Sequence, residues 1–191
     1  MKIRMSKPSR RKQLVWYCGY KKYHCTSNLF IFRSDGLIAS YAVGGYGRAG
    51  DSIIMHAANL YSKIDDVFVQ FGGKVAADSA FLYRDRMRSI VKSAEDANTL
   101  RSCQTVAKAH DVTLARQTAE WGMSNLKKGS PRLCVRLNYK ERGERYQIVA
   151  LDAHMHNYRV NRVGLSQIHT TYSGLWDTDI LDGFNALYNN M

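Results

Sequence analysis

The chain is missing most of the features that settle a protein's class at a glance. No apolar run comes near the roughly 18–20 residues that a membrane-spanning helix needs, so a helical membrane protein is excluded. The start, Met1 to Lys12, is basic but is followed by no apolar stretch with a small-residue cleavage site, and a secreted product is not expected. The cysteines Cys18, Cys25, Cys103 and Cys134 form no Cys-x-x-Cys pair. A disulfide framework is therefore not expected, a reducing compartment is the simpler reading, and a zinc site from Cys18, Cys25 and distant histidines has only weak spacing support. Gly44-Gly45-Tyr46-Gly47 lacks the spacing of a nucleotide-cradling loop. No serine sits in a nucleophile elbow, no Cys/His arrangement is recognisable, and there is no repeat or low-complexity tract. Acid is also missing where base is dense: between Met1 and Lys22 there are eight Lys or Arg and no Asp or Glu.

What is present is ordinary in amount and uneven in placement. With 191 residues, 45% hydrophobic and 23% charged, the chain can bury one core and is not disordered as a whole. Lys and Arg number 28 against 16 Asp and Glu, a net charge of +12, which points to a polyanionic partner and most often to nucleic acid. The basic start either remains a solvated arm or meets phosphates. The division expected is a basic arm over 1–12, a domain over 13–172 and a polar, aromatic tail over 173–191.

Leu14–Cys18 and Asn28–Phe32 read as strands, rich in aromatic and β-branched residues. Ser34-Asp35-Gly36 supplies turn chemistry and Leu37–Val43 a third strand, so these neighbours make an antiparallel hairpin. Gly44–Gly47 breaks the pattern, a helix is expected over Ile53–Lys63, and Gly72-Gly73 closes the next segment. Lys74–Asp78 reads as a short buried strand ending on a carboxylate. Helices follow over Ala97–Lys127, stopped by Gly129-Ser130-Pro131, and over Arg145–Tyr158. The order suggests an α/β architecture, a mixed sheet flanked by helices. Nothing before Leu14 is expected to supply a sheet element.

Three carboxylates stand out by position. Asp51 follows a strand, Asp78 ends one, and Glu120 lies mid-helix one turn after Arg116. Carboxylates at strand ends gather where α/β sheets bind ligands. Hard oxygen donors from three elements suit Mg²⁺ or Mn²⁺, and a pair of such ions would support phosphodiester cleavage. Each also has a plain structural use: Asp51 as a helix N-cap, Asp78 as a turn cap, Glu120 as a helical partner of Arg116. His154 and His156, two apart on a helix, point to different sides and suit a metal poorly. Trp16, Tyr17, Tyr20 and Tyr23 interleave with Lys21 and Lys22, a pattern compatible with base stacking as well as with packing on a strand face.

Six segments, in order, carry a resemblance: Pro8–His24, Ser34–Ile38, Gly47–Ser52, Lys74–Phe81, Ala115–Met123 and His156–Ile168. Together they look like the catalytic domain of PIF/Harbinger-type DDE transposases, the DDE superfamily endonucleases, across about Lys7 to Tyr172. The resemblance implies an RNase H-like fold and a divalent-metal-dependent endonuclease that cuts and joins DNA. It implies Asp51, Asp78 and Glu120 as metal-site positions, with Asp78 and Glu120 catalytic. Arg10, Arg11, Lys12, Lys21 and Lys22 would hold the DNA backbone. Ala49-Gly50 departs from the residues usual before Asp51. The family's first catalytic Asp lies just upstream of a segment like Lys2–Pro8, and no Asp precedes Pro8 here. The expectation is a truncated, transposase-derived domain lacking the first strand and impaired in catalysis, with a non-catalytic DNA- or protein-binding remnant as the alternative. Family analogy also implies a separate DNA-binding protein partner. Residence with DNA in the nucleus follows, with the cytoplasm as the alternative and Arg10-Arg11-Lys12 as a weak localisation signal.

Overall fold

Met1-Lys2-Ile3-Arg4-Met5 alternates apolar and basic residues, the period of a strand with one buried face. In the computed structural model, which describes residues 1–71, 75–78, 81, 90–92, 103–138, 140–164 and 167–168, Lys2–Arg4 is β1, with Ile3 and Met5 buried. The stretch expected to lie outside the sheet thus supplies its first strand. Alternation over five residues outweighs the two charges that disguise it.

Arg10–Lys12 makes a 3-10 turn and Gln13–Trp16 a single turn of helix, α1, before β2 (Tyr17–Cys18). The strand expected over Leu14–Cys18 is therefore cut to its last two residues. Trp16 explains the change: it is buried with Tyr46 edge-on at 5.0 Å and the Arg145 guanidinium 5.4 Å from its ring, while Leu14 is left 75% exposed. Burying one indole outweighs the strand preference of its neighbours.

β3 (Tyr23–Phe32) pairs antiparallel with β1, with β2 and with β4 (Ile38–Tyr46). The Ser34-Asp35-Gly36 turn forms as expected, with Gly36 at φ 89 and Asp35 Oδ1 accepting from the Leu37 N–H at 3.0 Å. Gly44 does not end β4. It sits at φ 79 beside a register shift between Ser27 and Leu29, a bulge that keeps the strand going to Tyr46. Asn28 holds the bulge: its Oδ1 accepts from the Gly44 N–H at 3.0 Å and its Nδ2 donates to Thr26 Oγ1 at 3.1 Å.

The helix expected over Ile53–Lys63 is two, α2 (Asp51–Ala57) and α3 (Leu60–Phe71), separated at Asn59, whose φ of 53 is tolerated by an Asn. β5 (Val75–Ala77) pairs parallel with β6 (Ile90–Lys92), which sequence did not suggest. Among the described residues this pair is separate from the four-stranded antiparallel sheet, where one mixed sheet was expected. α4 (Cys103–Gly129) ends at Ser130-Pro131, and α5 (Arg142–Val163) runs longer at both ends than anticipated. Gly164, at φ 65, closes α5 by donating its N–H to the Val160 carbonyl at 3.0 Å. The Gly72-Gly73 stop, the Ala97–Ser102 helix start and the 173–191 tail lie outside the described residues.

The run Leu29-Phe30-Ile31-Phe32 is apolar throughout because both faces of the sheet are covered. Phe30 and Phe32 join Ile38, Leu126, Val149 and Ala153 under α4 and α5. Leu29 and Ile31 join Ile54, Leu60, Ile64 and Ala77 under α2, α3 and the β5–β6 pair. The sheet is thus the middle of three layers. α5 is also pinned to the hairpin by polar contacts. Asn157 Oδ1 accepts from the Ile38 N–H at 2.7 Å, Asn157 Nδ2 donates to the Ile38 carbonyl at 2.9 Å, and His156 Nε2 lies 3.0 Å from the Gly36 carbonyl.

Candidate functional site

Asp51 is the first residue of α2, half-buried, with Gly50 in the capping position. It is not itself the N-cap, but its charge lies where the helix dipole favours an anion. The loop leading to it is held firmly. Lys2 Nζ donates to the carbonyls of Gly47 and Ala49 at 3.1 and 3.2 Å and also to Ser27 Oγ. Gly47 passes so close to neighbouring backbone that a Cβ there would lie 2.5 Å from the Cys25 carbonyl and closer still to that of Trp16. Only glycine fits that crossing.

Asp78 follows β5, at the strand end the sequence pattern anticipated, and is exposed. Arg116 of α4 reaches it, Nη1 to Oδ1 at 3.3 Å. Sequence spacing offered Glu120 as the natural partner of Arg116, one turn along the same helix; the cross-element partner Asp78 was not legible from spacing. With the two side chains 34% and 56% exposed, the pair contributes at most about 1 kcal/mol to stability. Its consequence is positional: it brings the end of β5 against the stretch of α4 that carries Glu120, itself exposed.

The donor chemistry of Asp51, Asp78 and Glu120 suits a hard divalent cation. The geometry is less accommodating. Among the described residues no group of three or more His, Cys, Asp or Glu side chains is gathered closely enough to hold a metal ion. Asp78 instead faces a guanidinium. As arranged, these residues do not fit a formed three-carboxylate centre.

His154 and His156 point apart, as their spacing requires. His154 Nε2 lies 3.2 Å from the Tyr41 hydroxyl, whereas His156 is buried beneath the hairpin turn. Burial holds His156 below the usual histidine range, and the Arg159 charge acts the same way, against the Gly36 carbonyl, which raises it. Cys18 and Cys25 are free and buried, and Cys134 is free and exposed. Burial beside Cys18 pushes the Cys25 thiol up to about 11, so it is inert rather than reactive.

The basic residues divide by use. Arg10, Arg11 and Lys12 are exposed on the 3-10 turn, and Lys21 and Lys22 are exposed on the turn between β2 and β3. Lys2 is spent on the loop before Asp51, and Arg145 is buried, donating to the Asn138 carbonyl at 2.7 Å. The aromatics divide too. Trp16 is core, Tyr23 lies under the Arg4 guanidinium at 4.6 Å, and Tyr20 is 88% exposed with Lys21 Nζ 4.8 Å from its ring centre. Away from these, a cavity of about 330 Å³ lies between α4 and α5, lined by residues including Ser130, Asp152, His156 and Arg159. Asp152 Oδ2 is buried there without a hydrogen-bond partner.

A family model described as DDE superfamily endonuclease matches residues 1–157 of the chain. No curated protein and no solved structure matches it.

Proposed function

We propose, from the premise that the chain belongs to the DDE superfamily endonucleases, that it is a transposase-derived domain acting on DNA phosphodiesters. Mg²⁺ or Mn²⁺ would be its cofactor, and Asp51, Asp78 and Glu120 the residues that answer to it, within an RNase H-like fold of the PIF/Harbinger type. A divalent ion held by these carboxylates would supply Lewis-acid chemistry for phosphodiester cleavage. The observation that carries this reading is the juxtaposition of Asp78 at the end of β5 with the α4 segment Arg116–Glu120. It places one carboxylate beside the helix that bears another, on a chain whose exposed basic turns suit a phosphate backbone.

Catalysis by this chain alone would be weak, because among the described residues Asp78 belongs to no group of three acidic or imidazole side chains, and Arg116 competes for it through a contact worth at most about 1 kcal/mol. A second reading follows from that arrangement: a DNA- or protein-binding remnant that keeps the fold and the basic surface without cutting. The partners of either form would be DNA and a separate DNA-binding protein supplying sequence specificity, and the place would be the nucleus, with Arg10-Arg11-Lys12 exposed for recognition.

The two readings part in one experiment. Purified chain is incubated with supercoiled plasmid and Mg²⁺ or Mn²⁺, alongside Asp78→Ala and Glu120→Ala. Slow nicking that both substitutions abolish supports the endonuclease. Nicking no greater than that of Asp78→Ala refutes it for this chain, and salt-dependent DNA binding in the same preparation then supports the remnant.

A further inference from the structure

The β2–β3 turn carries chemistry that phosphate binding alone does not use. β2 and β3 pair through Tyr17 with His24 and Cys18 with Tyr23, which leaves Gly19-Tyr20-Lys21-Lys22 as the tip. Lys22 adopts φ 54, a backbone state that bends the chain back sharply and leaves Tyr20 outside the hairpin ladder. Tyr20 is 88% exposed, and Tyr17 is 41% exposed beside the His24 ring at 5.4 Å. Lys21 stands over the Tyr20 ring at 4.8 Å, and Arg4 stands over Tyr23 at 4.6 Å at the foot of the same hairpin. Rings and cations thus alternate at one end of the sheet, within a segment that holds no acid before Asp35.

A solvated lysine needs no aromatic neighbour, and a ring kept in water costs free energy that burial elsewhere would recover. Aromatic faces between cations are the surface that unpaired bases recognise, because every base has a face to stack and every nucleotide a phosphate to neutralise. We infer that Tyr20 is a base-stacking residue: the β2–β3 tip engages unpaired DNA bases on the Tyr20 ring while Lys21 and Lys22 meet the adjoining phosphates. The occupant is single-stranded or frayed DNA rather than intact duplex, whose base faces are already stacked on one another. This inference rests on the DNA-acting reading above and names the form of DNA that this part of the chain selects.

The test compares binding of the full chain to a labelled oligothymidine strand and to a blunt duplex of the same length, by fluorescence anisotropy at several salt concentrations. Tyr20→Ala should weaken strand binding by about tenfold and leave duplex binding unchanged. Tyr20→Phe, which keeps the ring, should stay within about twofold of the parent. Lys21→Ala should weaken both and make the salt slope shallower by about one, whereas Tyr20→Ala should not change the slope. An unchanged melting temperature for Tyr20→Ala, expected of so exposed a side chain, shows that the variant is folded. Strand binding by Tyr20→Ala equal to the parent overturns the stacking role, as does Tyr20→Phe binding as weakly as Tyr20→Ala. If the parent binds neither DNA at low salt, the DNA-acting reading itself fails; if it binds both and ignores Tyr20, only the stacking role fails.

Discussion

Substituting Gly122 by Ala sets two effects of opposite sign against each other in one methyl group. Gly122 lies in α4, and a Cβ built there would sit 2.5, 2.6 and 2.8 Å from the Cε1, Cδ1 and Cζ atoms of Phe32 on β3. Comfortable carbon contacts are about 3.5–4.0 Å, so the ring or the helix must retreat by about 1 Å. The ring has little room to do so. His156 stands edge-on to it at 6.0 Å, Phe30 at 6.3 Å, and it packs against the core formed with Leu126 and Val149. Overpacking of this kind costs about 1–3 kcal/mol, and Ala recovers about 1 kcal/mol of helix propensity over Gly. A retreat of about 1 Å by a ring so confined puts overpacking in the upper part of that range, about 2–3 kcal/mol, so it should win by about 1–2 kcal/mol and lower the melting temperature by about 2–8 °C for a chain of this size. Urea denaturation should show a lower midpoint with an unchanged slope. The double variant Phe32→Leu with Gly122→Ala isolates the cause, because the smaller side chain removes the clash and lets Ala stabilise relative to Phe32→Leu alone. Gly122→Ala as stable as the parent, or more so, would refute the claim that a Gly-sized gap sets the α4–sheet spacing. Glu120, one of the proposed metal-site residues, lies two residues before Gly122 on the same helix.

Five other substitutions test the hairpin clamp and the thiols. Asn157→Ala removes both the donor and the acceptor that α5 offers to Ile38, and should cost about 2–4 kcal/mol by urea denaturation; Asn157→Asp, which sets a carboxylate oxygen against the Ile38 carbonyl in place of the donor, should lose at least as much. His156 is held low by burial, so the unfolded chain takes up its proton more readily. Its contribution is present above the ordinary histidine value of about 6.5 and is lost as pH falls below it, and a His156→Gln variant should show a flatter stability profile across that range. Cys134 is exposed whereas Cys25 is buried with its thiol raised to about 11. Cys134→Ser should therefore lower thiol labelling of the native chain and Cys25→Ser should not, until urea exposes Cys25.

The central hairpin was legible because its signals are local. Asp35-Gly36 fixes the turn, and the unbroken run Leu29–Phe32 announces a strand covered on both faces. β1 was hidden by Lys2 and Arg4, although Met1, Ile3 and Met5 keep the strand period around them. α1 was unreadable for a different reason: Trp16 is buried against Tyr46 and Arg145, thirty and 129 positions away, and no window around residue 16 contains either. The bulge at Gly44 and the break at Asn59 are single-residue events that propensity blurs into a strand end and a continuous helix. In the site, the strand-end position of Asp78 was foreseeable from its own segment. Its ion pair with Arg116 was not, because the residue four positions along offers an equally good partner on paper and only tertiary packing chooses between them.

The net charge of +12 suggested a polyanionic partner before any residue was placed, but placement reduces how many charges can act on one. Lys2 is tied to the Gly47–Ala49 loop, Arg145 is buried on Trp16, and Arg116 and Arg132 face Asp78 and Glu144. The residues assigned to DNA that stand exposed are Arg10, Arg11, Lys12, Lys21 and Lys22. If each neutralises one phosphate of duplex DNA, the slope of log affinity against log salt is about −0.9 × 5, or about −4.5. Removing Lys21 and Lys22 together should bring it to about −2.7. Lys2→Gln should leave the slope unchanged while lowering stability, because its ammonium serves three protein oxygens rather than a partner. A slope well beyond −4.5 would mean that the bound surface extends to other exposed bases such as Lys127, Lys128 or Arg136, and one that flattens with Lys2→Gln would mean that it includes a charge the fold has committed elsewhere. The division between structural and partner-facing bases would then have to be redrawn.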